Sequence, residues 1–168
     1  LITSTFYDET KPNRLVIYRN LNGLYIKSQE IEAPNFVDDY GNSIDISRDG
    51  RFIAVGAPLD DTNGINQGTV YVYKQVNGEF ELLTNLYSVN NDRNEQFGFR
   101  VAFDGNTLAV TSRNGDSSLE TIFDNGTTIF DGGFTKFIDY EDDVGIVQLY
   151  EVFADGFLYS QSLDFNDS

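Results

Sequence analysis

Short runs of apolar and β-branched residues, separated by tight-turn signals, follow one another along most of the chain. The clearest runs lie on either side of Asp49-Gly50, at about 42–47 and 51–56, and a polar loop separates them from a third run at about 69–75. Runs of this length bounded by Asp-Gly or Asn-Gly predict β-strands joined by hairpin turns. No stretch shows a sustained 3.6-residue apolar period with helix caps. The pattern therefore predicts an all-β protein.

The pattern recurs, most clearly at three hairpins. Each hairpin has a tyrosine, an Asn-Gly or Asp-Gly pair a few residues later, and then a strand of alternating character. The three tyrosines are Tyr18, Tyr73 and Tyr150. The recurrence of the same hairpin at these three places indicates a repeat architecture. We therefore expect units of four antiparallel strands, a to d, like the blades of a β-propeller.

Three units account for the chain. We expect a partial unit at 1–37, which lacks strand a and starts inside strand b, a second unit at 38–90 and a third at 91–168. The strands of the second unit are predicted at about 42–47, 51–56, 69–75 and 79–86, and those of the third at about 99–103, 107–111, 145–151 and 157–163.

The chain also starts within an apolar run and without Met, so we interpret it as a piece of a longer polypeptide. Propellers use about 4–8 blades, and three units cannot close such a ring. We expect either missing blades of the parent chain or other protein chains to complete the packing.

An insertion with a period of seven residues interrupts the third unit at about 117–143. Its Asn-Gly and Gly-Gly turns predict an inserted β-hairpin or meander, and strand parity separates its large side chains onto two faces. Phe123, Phe130 and Phe137 fall on one face, and Ile122 and Ile129 on the other. Apolar groups on both faces predict contact with another chain or with the parent chain. The alternative is a hairpin that folds over its own propeller.

Two short motifs lie at the start of strand a and at the end of strand b, and the first of them occurs twice. Tyr40-Gly41 and Phe97-Gly98 form the first, and Gly56-Ala57-Pro58 forms the second. The chain thereby resembles the FG-GAP repeat family, which includes the α-subunit propellers of integrins. The third unit has Thr111-Ser112-Arg113 in place of Gly-Ala-Pro, and the first unit has only Thr3-Ser4. The resemblance implies a propeller-like fold and, by itself, no particular function.

The charge and the composition of the chain exclude several classes of partner and of catalytic site. The chain carries 27 acidic and 11 basic residues, a net charge of −16, which disfavours nucleic acid and anionic membranes. No apolar run is long enough to insert into a bilayer. The absence of His and Cys removes Ser-His-Asp and Cys-His catalysis and the commonest transition-metal ligands.

The remaining candidates for chemistry are acidic loops. Adjacent carboxylates at Asp38-Asp39, Asp60-Asp61 and Glu141-Asp142-Asp143 would suit a glycosidase, but all lie in predicted loops where solvated acids are usual, so we expect no enzyme. Asp60, Asp61 and Asn63 are weak candidates for a calcium site, because their spacing lacks the alternation of a dedicated loop. We therefore expect no cofactor, with calcium as the alternative. Tyr71 and Tyr73 suggest either a sugar-stacking surface or ordinary strand residues.

These observations favour a non-enzymatic structural or adhesion module that acts through protein contacts. Thr-x-Phe-Asp repeats surrounded by FG-GAP units are similar to tail or baseplate proteins of marine bacteriophages, and the short Asp-Gly connection between strands a and b is similar to bacterial and viral members of the family. We therefore predict a virion component. The alternative is an extracellular or cell-surface bacterial protein that recognises a glycan or a protein.

Overall fold

The structure, a computed structural model, describes residues 2–4, 12–34, 39–90, 93–114, 146–153 and 156–164 of the 168-residue chain. These residues form eleven β-strands and no helix. The strands are β1 (Ile2–Ser4), β2 (Arg14–Leu21), β3 (Leu24–Glu32), β4 (Ser43–Ile46), β5 (Phe52–Ala57), β6 (Thr69–Val76), β7 (Glu79–Leu86), β8 (Phe97–Asp104), β9 (Thr107–Ser112), β10 (Ile146–Phe153) and β11 (Gly156–Asp164).

The strands form three antiparallel sheets in chain order. Sheet I contains β1-β2-β3, sheet II contains β4-β5-β6-β7, and sheet III contains β8-β9-β10-β11. The predicted all-β class, with four-stranded antiparallel blades of a propeller-like repeat, is confirmed. The observed strand ends of sheet II lie within one residue of the predicted ends. The unit boundaries stay predictions, because they fall next to residues 35–38 and 91–92, which lie outside the described residues.

One irregularity recurs in all three sheets. The register between the last two strands of each sheet shifts, at Ile17/Tyr18, at Val72/Tyr73 and at Leu149/Tyr150. Each shift is a β-bulge, which leaves one extra residue on the outer strand and increases the local twist. The bulge therefore marks equivalent positions, and Tyr18, Tyr73 and Tyr150 correspond in the three sheets.

The hairpin turns of sheets I and II have the conformation that their sequences predict. Asn77 and Gly78 both have positive φ, 51° and 92°, and Asn22 and Gly23 have nearly the same values, 53° and 91°. Positive φ at both central residues defines the type I′ turn, which matches the right-handed twist of the flanking strands.

Strand β5 lies between two hydrophobic cores, and all six of its residues are buried. Ile53, Val55 and Ala57 belong to the core shared with sheet I, while Phe52 and Ala54 belong to the core shared with sheet III. Successive strand side chains point to opposite faces, so an apolar run without alternation is what a doubly covered strand needs. Strand b of the second unit therefore packs between the two neighbouring sheets.

The register corrects the sequence alignment of the first unit by one residue. Leu15 and Val70 each lie three residues before the bulge tyrosine, and they pair with Ser4 and Gly56 respectively. Comparison of the sequences alone places Thr3, and not Ser4, at the position of Gly56. A strand of three residues contains too little pattern to fix its register, which backbone pairing decides.

Candidate functional site

The two sequence motifs meet where sheet II contacts sheet III. Gly98 lies so close to Gly56 that a Cβ on Gly56 would be 2.0 Å from the Gly98 carbonyl oxygen. A Cβ on Gly68 would lie 2.2 Å from the Phe97 carbonyl oxygen. The neighbouring atoms are backbone, so no side-chain movement makes room. Only glycine permits this approach of one backbone to another.

Phe97 anchors the same junction from within the core. Its side chain is fully buried, and its ring meets that of Tyr150 edge to face at 6.2 Å between centroids. Its backbone N–H donates to the Gln67 carbonyl at 2.9 Å. The Phe-Gly pair therefore supplies an apolar anchor and, at Gly98 with φ +87°, the conformation that brings the backbones together.

Tyr40-Gly41 begins sheet II in the same way. Tyr40 is buried, its hydroxyl lies 2.7 Å from that of Tyr73, and its ring meets Tyr71 edge to face at 5.4 Å. Gly41 N–H donates to the Gly56 carbonyl at 3.0 Å. Burial raises the pKa of the Tyr40 and Tyr73 hydroxyls above 10, because the phenolate would lose its hydration.

The Gly56-Ala57-Pro58 motif leads into a loop organised by one buried carboxylate. Asp60 is only 3% exposed. One of its oxygens accepts from the Tyr71 hydroxyl at 2.6 Å, and the other accepts from the Thr62 N–H at 2.8 Å and the Thr62 hydroxyl at 2.6 Å. Burial, and then the hydrogen bond to Asp60, raise the pKa of Tyr71. Asp60 thus holds the loop between β5 and β6 against the sheet.

The weak calcium candidates have protein partners in the structure. Asp61 is exposed and accepts from the Asn66 N–H at 2.7 Å, and Asn63 is exposed on the same loop. Within the described ranges, no group of three or more acidic, His or Cys side chains is placed to hold a metal ion. The arrangement of Asp60 and Asp61 is that of two loop-organising side chains.

Two of the other sequence hypotheses can be located. Tyr71 and Tyr73 are 2% and 1% exposed, so they are core residues and present no ring for stacking on a sugar. Asp60 is buried while Asp61 is exposed, so this acidic pair does not face a common space. Asp38 and residues 141–143 lie outside the described residues, as do the predicted interaction residues of the insertion: Phe123, Phe130, Phe137, Ile122 and Ile129.

A polar ladder between the two sheets was not predicted. Ser43 Oγ accepts from the Val101 N–H at 3.1 Å, and Asp45 Oδ2 accepts from the Phe103 N–H at 2.7 Å. These side chains satisfy the backbone donors of β8, which is an edge strand of sheet III. The sequence signal that could have predicted this ladder is the pair of polar residues Ser43 and Asp45, which stand on either side of Ile44 in β4.

A second unpredicted feature is a buried polar network in sheet III. Glu95 and Gln148 are fully buried. Glu95 accepts from the hydroxyls of Ser88 and Ser112, the latter at 2.8 Å, and Gln148 donates to Ser88 at 2.7 Å. Ser112 of sheet III occupies the position that Ala57 of the Gly-Ala-Pro motif has in sheet II. The network is therefore found at the place where sheet III lacks this motif. Buried polar groups of this kind are stabilising only when all are hydrogen-bonded.

The described residues include no helix long and apolar enough to cross a membrane. A comparison with curated proteins finds no match. The FG-GAP repeat family matches residues 34–73, a range that contains β4, β5 and most of β6. The match includes Tyr40-Gly41 and Gly56-Ala57-Pro58, which the hydrogen bond from the Gly41 N–H to the Gly56 carbonyl joins. Residues 34–73, which form most of sheet II, therefore carry an FG-GAP repeat, a type of repeat that suggests a protein-interaction or adhesion module.

Proposed function

We propose that the chain is a non-enzymatic structural module of a bacteriophage tail or baseplate, which acts through contacts with other protein chains. The observation that supports this proposal is the outward face of sheet III. Ala109, Val147 and Leu149 are partly exposed on that face. At the equivalent positions of sheet II, Ala54, Val70 and Val72 are 0% exposed, because sheet III covers them. This apolar face is buried against the neighbouring sheet in sheet II, whereas in sheet III it remains partly exposed. A partly exposed apolar face is suited to contact with a further protein.

Charge supports proteins as the partners. With a net charge of −16, long-range repulsion opposes binding to nucleic acid and to anionic lipid. The apolar residues of the insertion, centred on Phe130, would supply a second contact surface. We place the protein in the virion on this basis.

The chemistry of the described carboxylates agrees with a non-enzymatic role. Asp60 and Glu95 are the buried acids, and both accept hydrogen bonds that hold loops in place. Catalytic acids and bases need access to a substrate. Neither carboxylate has that access.

The second candidate is an extracellular or cell-surface binding protein for a glycan or a protein. Exposed apolar side chains at the tip of the β2–β3 hairpin favour it: Leu24 is 69% exposed and Tyr25 is 59% exposed. An exposed aromatic ring next to an aliphatic side chain is a common feature of binding surfaces.

Cross-linking mass spectrometry on native material tests the proposal. Lys136 reports on the insertion, and Lys27 and Lys74 report on the hairpins. We expect links from these lysines to other polypeptides of a large particle. If all links return to this chain and the protein purifies free of a particle, the structural role is wrong, and screening against glycans and proteins becomes the next experiment.

A further inference from the structure

Two arginines lie over one aromatic ring in sheet III. The guanidinium carbon of Arg100 is 4.7 Å from the centroid of the Phe99 ring, and that of Arg113 is 5.4 Å from the same centroid. Phe99 and Arg100 belong to β8, and Arg113 directly follows β9. Both arginines are exposed, and Phe99 is partly buried. These three residues form the arginine cluster of the protein.

The arginine cluster concentrates positive charge on a strongly acidic chain, which has a net charge of −16 and 11 basic residues. A cation is attracted to the face of an aromatic ring, but two cations beside the same ring repel each other. A carboxylate next to them would reduce this repulsion and would accept charge-assisted hydrogen bonds from both guanidinium groups. The cluster is therefore suited to binding an anionic group.

Arg51 provides a comparison in which an arginine over a ring has a carboxylate partner. Its guanidinium carbon lies 5.5 Å from the centroid of the Phe52 ring, and its Nε–H donates to Asp49 at 2.5 Å. Arg14 likewise has an acidic partner, Glu30. Within the part of the chain that the structure describes, neither arginine of the cluster has a carboxylate at ion-pair distance.

The equivalent positions of sheet II carry hydrogen-bond acceptors. Arg100 and Ala102 stand at the register positions that Ser43 and Asp45 occupy in sheet II. Ser43 and Asp45 accept hydrogen bonds from backbone N–H groups of β8. An alanine side chain makes no hydrogen bond, and a guanidinium group only donates. This edge of sheet III therefore offers donors and positive charge, and its partner supplies acceptors and negative charge.

The small extent of the positive charge limits the kind of anion that fits. Both guanidinium groups lie within 5.4 Å of one centroid, so the width of the cluster is comparable to the Debye length, about 8 Å at physiological ionic strength. One or two carboxylates are attracted over this distance, while more distant acids of the chain are screened. A long polyanion would extend over the acidic surface and be repelled. The carboxylates of a protein segment therefore fit better than nucleic acid or a sulfated glycan.

We propose that the arginine cluster binds an acidic segment of another protein chain, whose carboxylates accept hydrogen bonds from Arg100 and Arg113. One guanidinium N–H of Arg100 already donates to the Phe99 carbonyl at 2.9 Å, which holds the side chain beside the ring. The opposite edge of a guanidinium group can bind a carboxylate in a bidentate manner. The inference names the chemistry of a partner for the protein-contact function proposed above, and it rests on that function.

A short blocked peptide in which aspartate alternates with threonine is the probe, and its control has asparagine in place of aspartate. NMR spectra of the intact, isotope-labelled 168-residue chain follow the Nε–Hε signals of Arg100 and Arg113 as the probe is added. These signals report contact at the guanidinium groups themselves. The signal of Arg48, which is exposed on the β4–β5 turn, is the internal reference.

Three protein variants accompany the probe. Arg113→Gln removes one cation of the cluster, and Arg48→Gln removes the same charge at a distant turn. Arg113→Lys keeps the charge but loses the planar fork of donors. Far-ultraviolet circular dichroism confirms that all three are folded.

We expect saturable shifts of the Arg100 and Arg113 signals, with a dissociation constant of about 5 mM or below. Affinity should be at least about threefold weaker for Arg113→Gln, intermediate for Arg113→Lys and unchanged for Arg48→Gln. The binding should weaken as sodium chloride is added, because the contact is between exposed charges.

Four outcomes would overturn the proposal. The first is the absence of a saturable shift, or equal shifts with the asparagine control. The second is tighter binding of a heparin-type oligosaccharide than of the probe, which would assign the cluster to a sulfated glycan. The third is a change of the arginine signals with salt in the absence of probe, because a carboxylate of the same chain would then occupy the cluster. The fourth is a change of these signals with protein concentration, which would assign the cluster to a second copy.

Failure here is distinguishable from failure of the proposed function. If the probe does not bind but cross-links still join the chain to a particle, only the cluster assignment is wrong. If the probe binds as expected but no particle contact exists, the cluster assignment stands and the virion role is wrong.

Discussion

Sheets II and III share their strand order and their hairpin bulge, but they differ in the number of faces that they bury. Every residue of β5 in sheet II is buried, whereas β9 in sheet III alternates between buried and half-buried residues. Gly56 in β5 receives the backbone of the next sheet, and Thr111 in β9 stands at the equivalent position. The Thr111 hydroxyl accepts from the Arg100 N–H at 3.0 Å within its own sheet.

This difference explains why the motif is intact in one sheet and altered in the next. At this strand position glycine is required because another backbone approaches within van der Waals contact. Where no backbone approaches, a glycine inside a strand lowers stability. Threonine is a better strand residue once that approach is absent. It also follows that a further sheet cannot dock on sheet III by the contact seen at Gly56, because the Cβ of Thr111 would meet its backbone.

The largest effect is expected at this contact. Gly56→Ala should destabilise the protein by about 3 kcal/mol or more, because its Cβ overlaps the Gly98 carbonyl. Thr111→Gly, the reverse change at the equivalent position, should cost only about 1 kcal/mol. Urea unfolding measures both, with Gly156→Ala as the control, since nothing lies within 4 Å of that position. Similar values for Gly56→Ala and Gly156→Ala would show that the sheets do not touch as described.

A matched pair of valines tests burial on the same faces. Val70 is 0% exposed, and its equivalent Val147 is partly exposed. Val70→Ala should lower the free energy of unfolding by about 2 kcal/mol, and Val147→Ala by less than about 1 kcal/mol, because only the first leaves a cavity. Denaturant unfolding measures both changes in free energy, from the shift of the midpoint when the dependence on denaturant concentration is the same as in the wild type. If Val147→Ala costs as much as Val70→Ala in the isolated chain, the outward face of sheet III is not open.

The buried tyrosines predict sensitivity to alkali. Because their pKa values are raised above 10 in the folded protein, the unfolded chain releases these protons first. The buried tyrosines therefore contribute fully to the free energy of unfolding below pH 10, and this contribution is lost as the pH rises above 10. Tyr40→Phe should reduce this dependence and cost about 1 kcal/mol at pH 8 through loss of the hydrogen bond to Tyr73.

Unfolding of the wild type and of Tyr40→Phe at pH 8 and pH 10.5 measures this effect. Tyr25→Phe is the control, because Tyr25 is 59% exposed. If the free energy of unfolding of the wild type is no lower at pH 10.5 than at pH 8, the buried position of Tyr40 is contradicted.

The smallest effect is expected at the β4–β5 turn of sheet II. Hydrogen bonds from the Arg51 N–H and the Ser47 hydroxyl lower the pKa of Asp49 to about 2. The stabilisation is therefore present above pH 4 and is lost as the pH falls toward 2. Asp49→Ala should cost less than about 1 kcal/mol at pH 7, because solvent screens this exposed site.

The corresponding change in sheet III, Asp104→Ala, serves as the comparison. Asp104 is exposed and precedes the Gly105 turn. We expect the two variants to differ at pH 7 and to become equally stable near pH 2, as judged by thermal unfolding. A difference that persists at pH 2 would mean that Asp49 does not act through its charge.

The sequence by itself determined the class, the strands and the repeat of this protein. Period-two alternation, Asn-Gly turns and the recurring tyrosines are local signals, and each acts within a few residues, so the ends of sheet II were predictable to within one residue. The short first strand was misaligned by one position, because Ile2–Ser4 is too short to carry a pattern. The motif glycines were identified as important, but the carbonyl that excludes a side chain from Gly56 belongs to a residue 42 positions away.

Only the tertiary structure decided the rest. The Ser43 and Asp45 ladder, the Glu95 network and the arginine cluster beside Phe99 each join residues that are distant along the chain. Their polar members look like ordinary solvated residues in the sequence. The role of Asp60 in holding its loop depends on the Tyr71 hydroxyl that packing brings to it. Local pattern specifies strands because it acts through neighbouring residues, whereas burial and hydrogen-bond partners are set by which strands become neighbours in space.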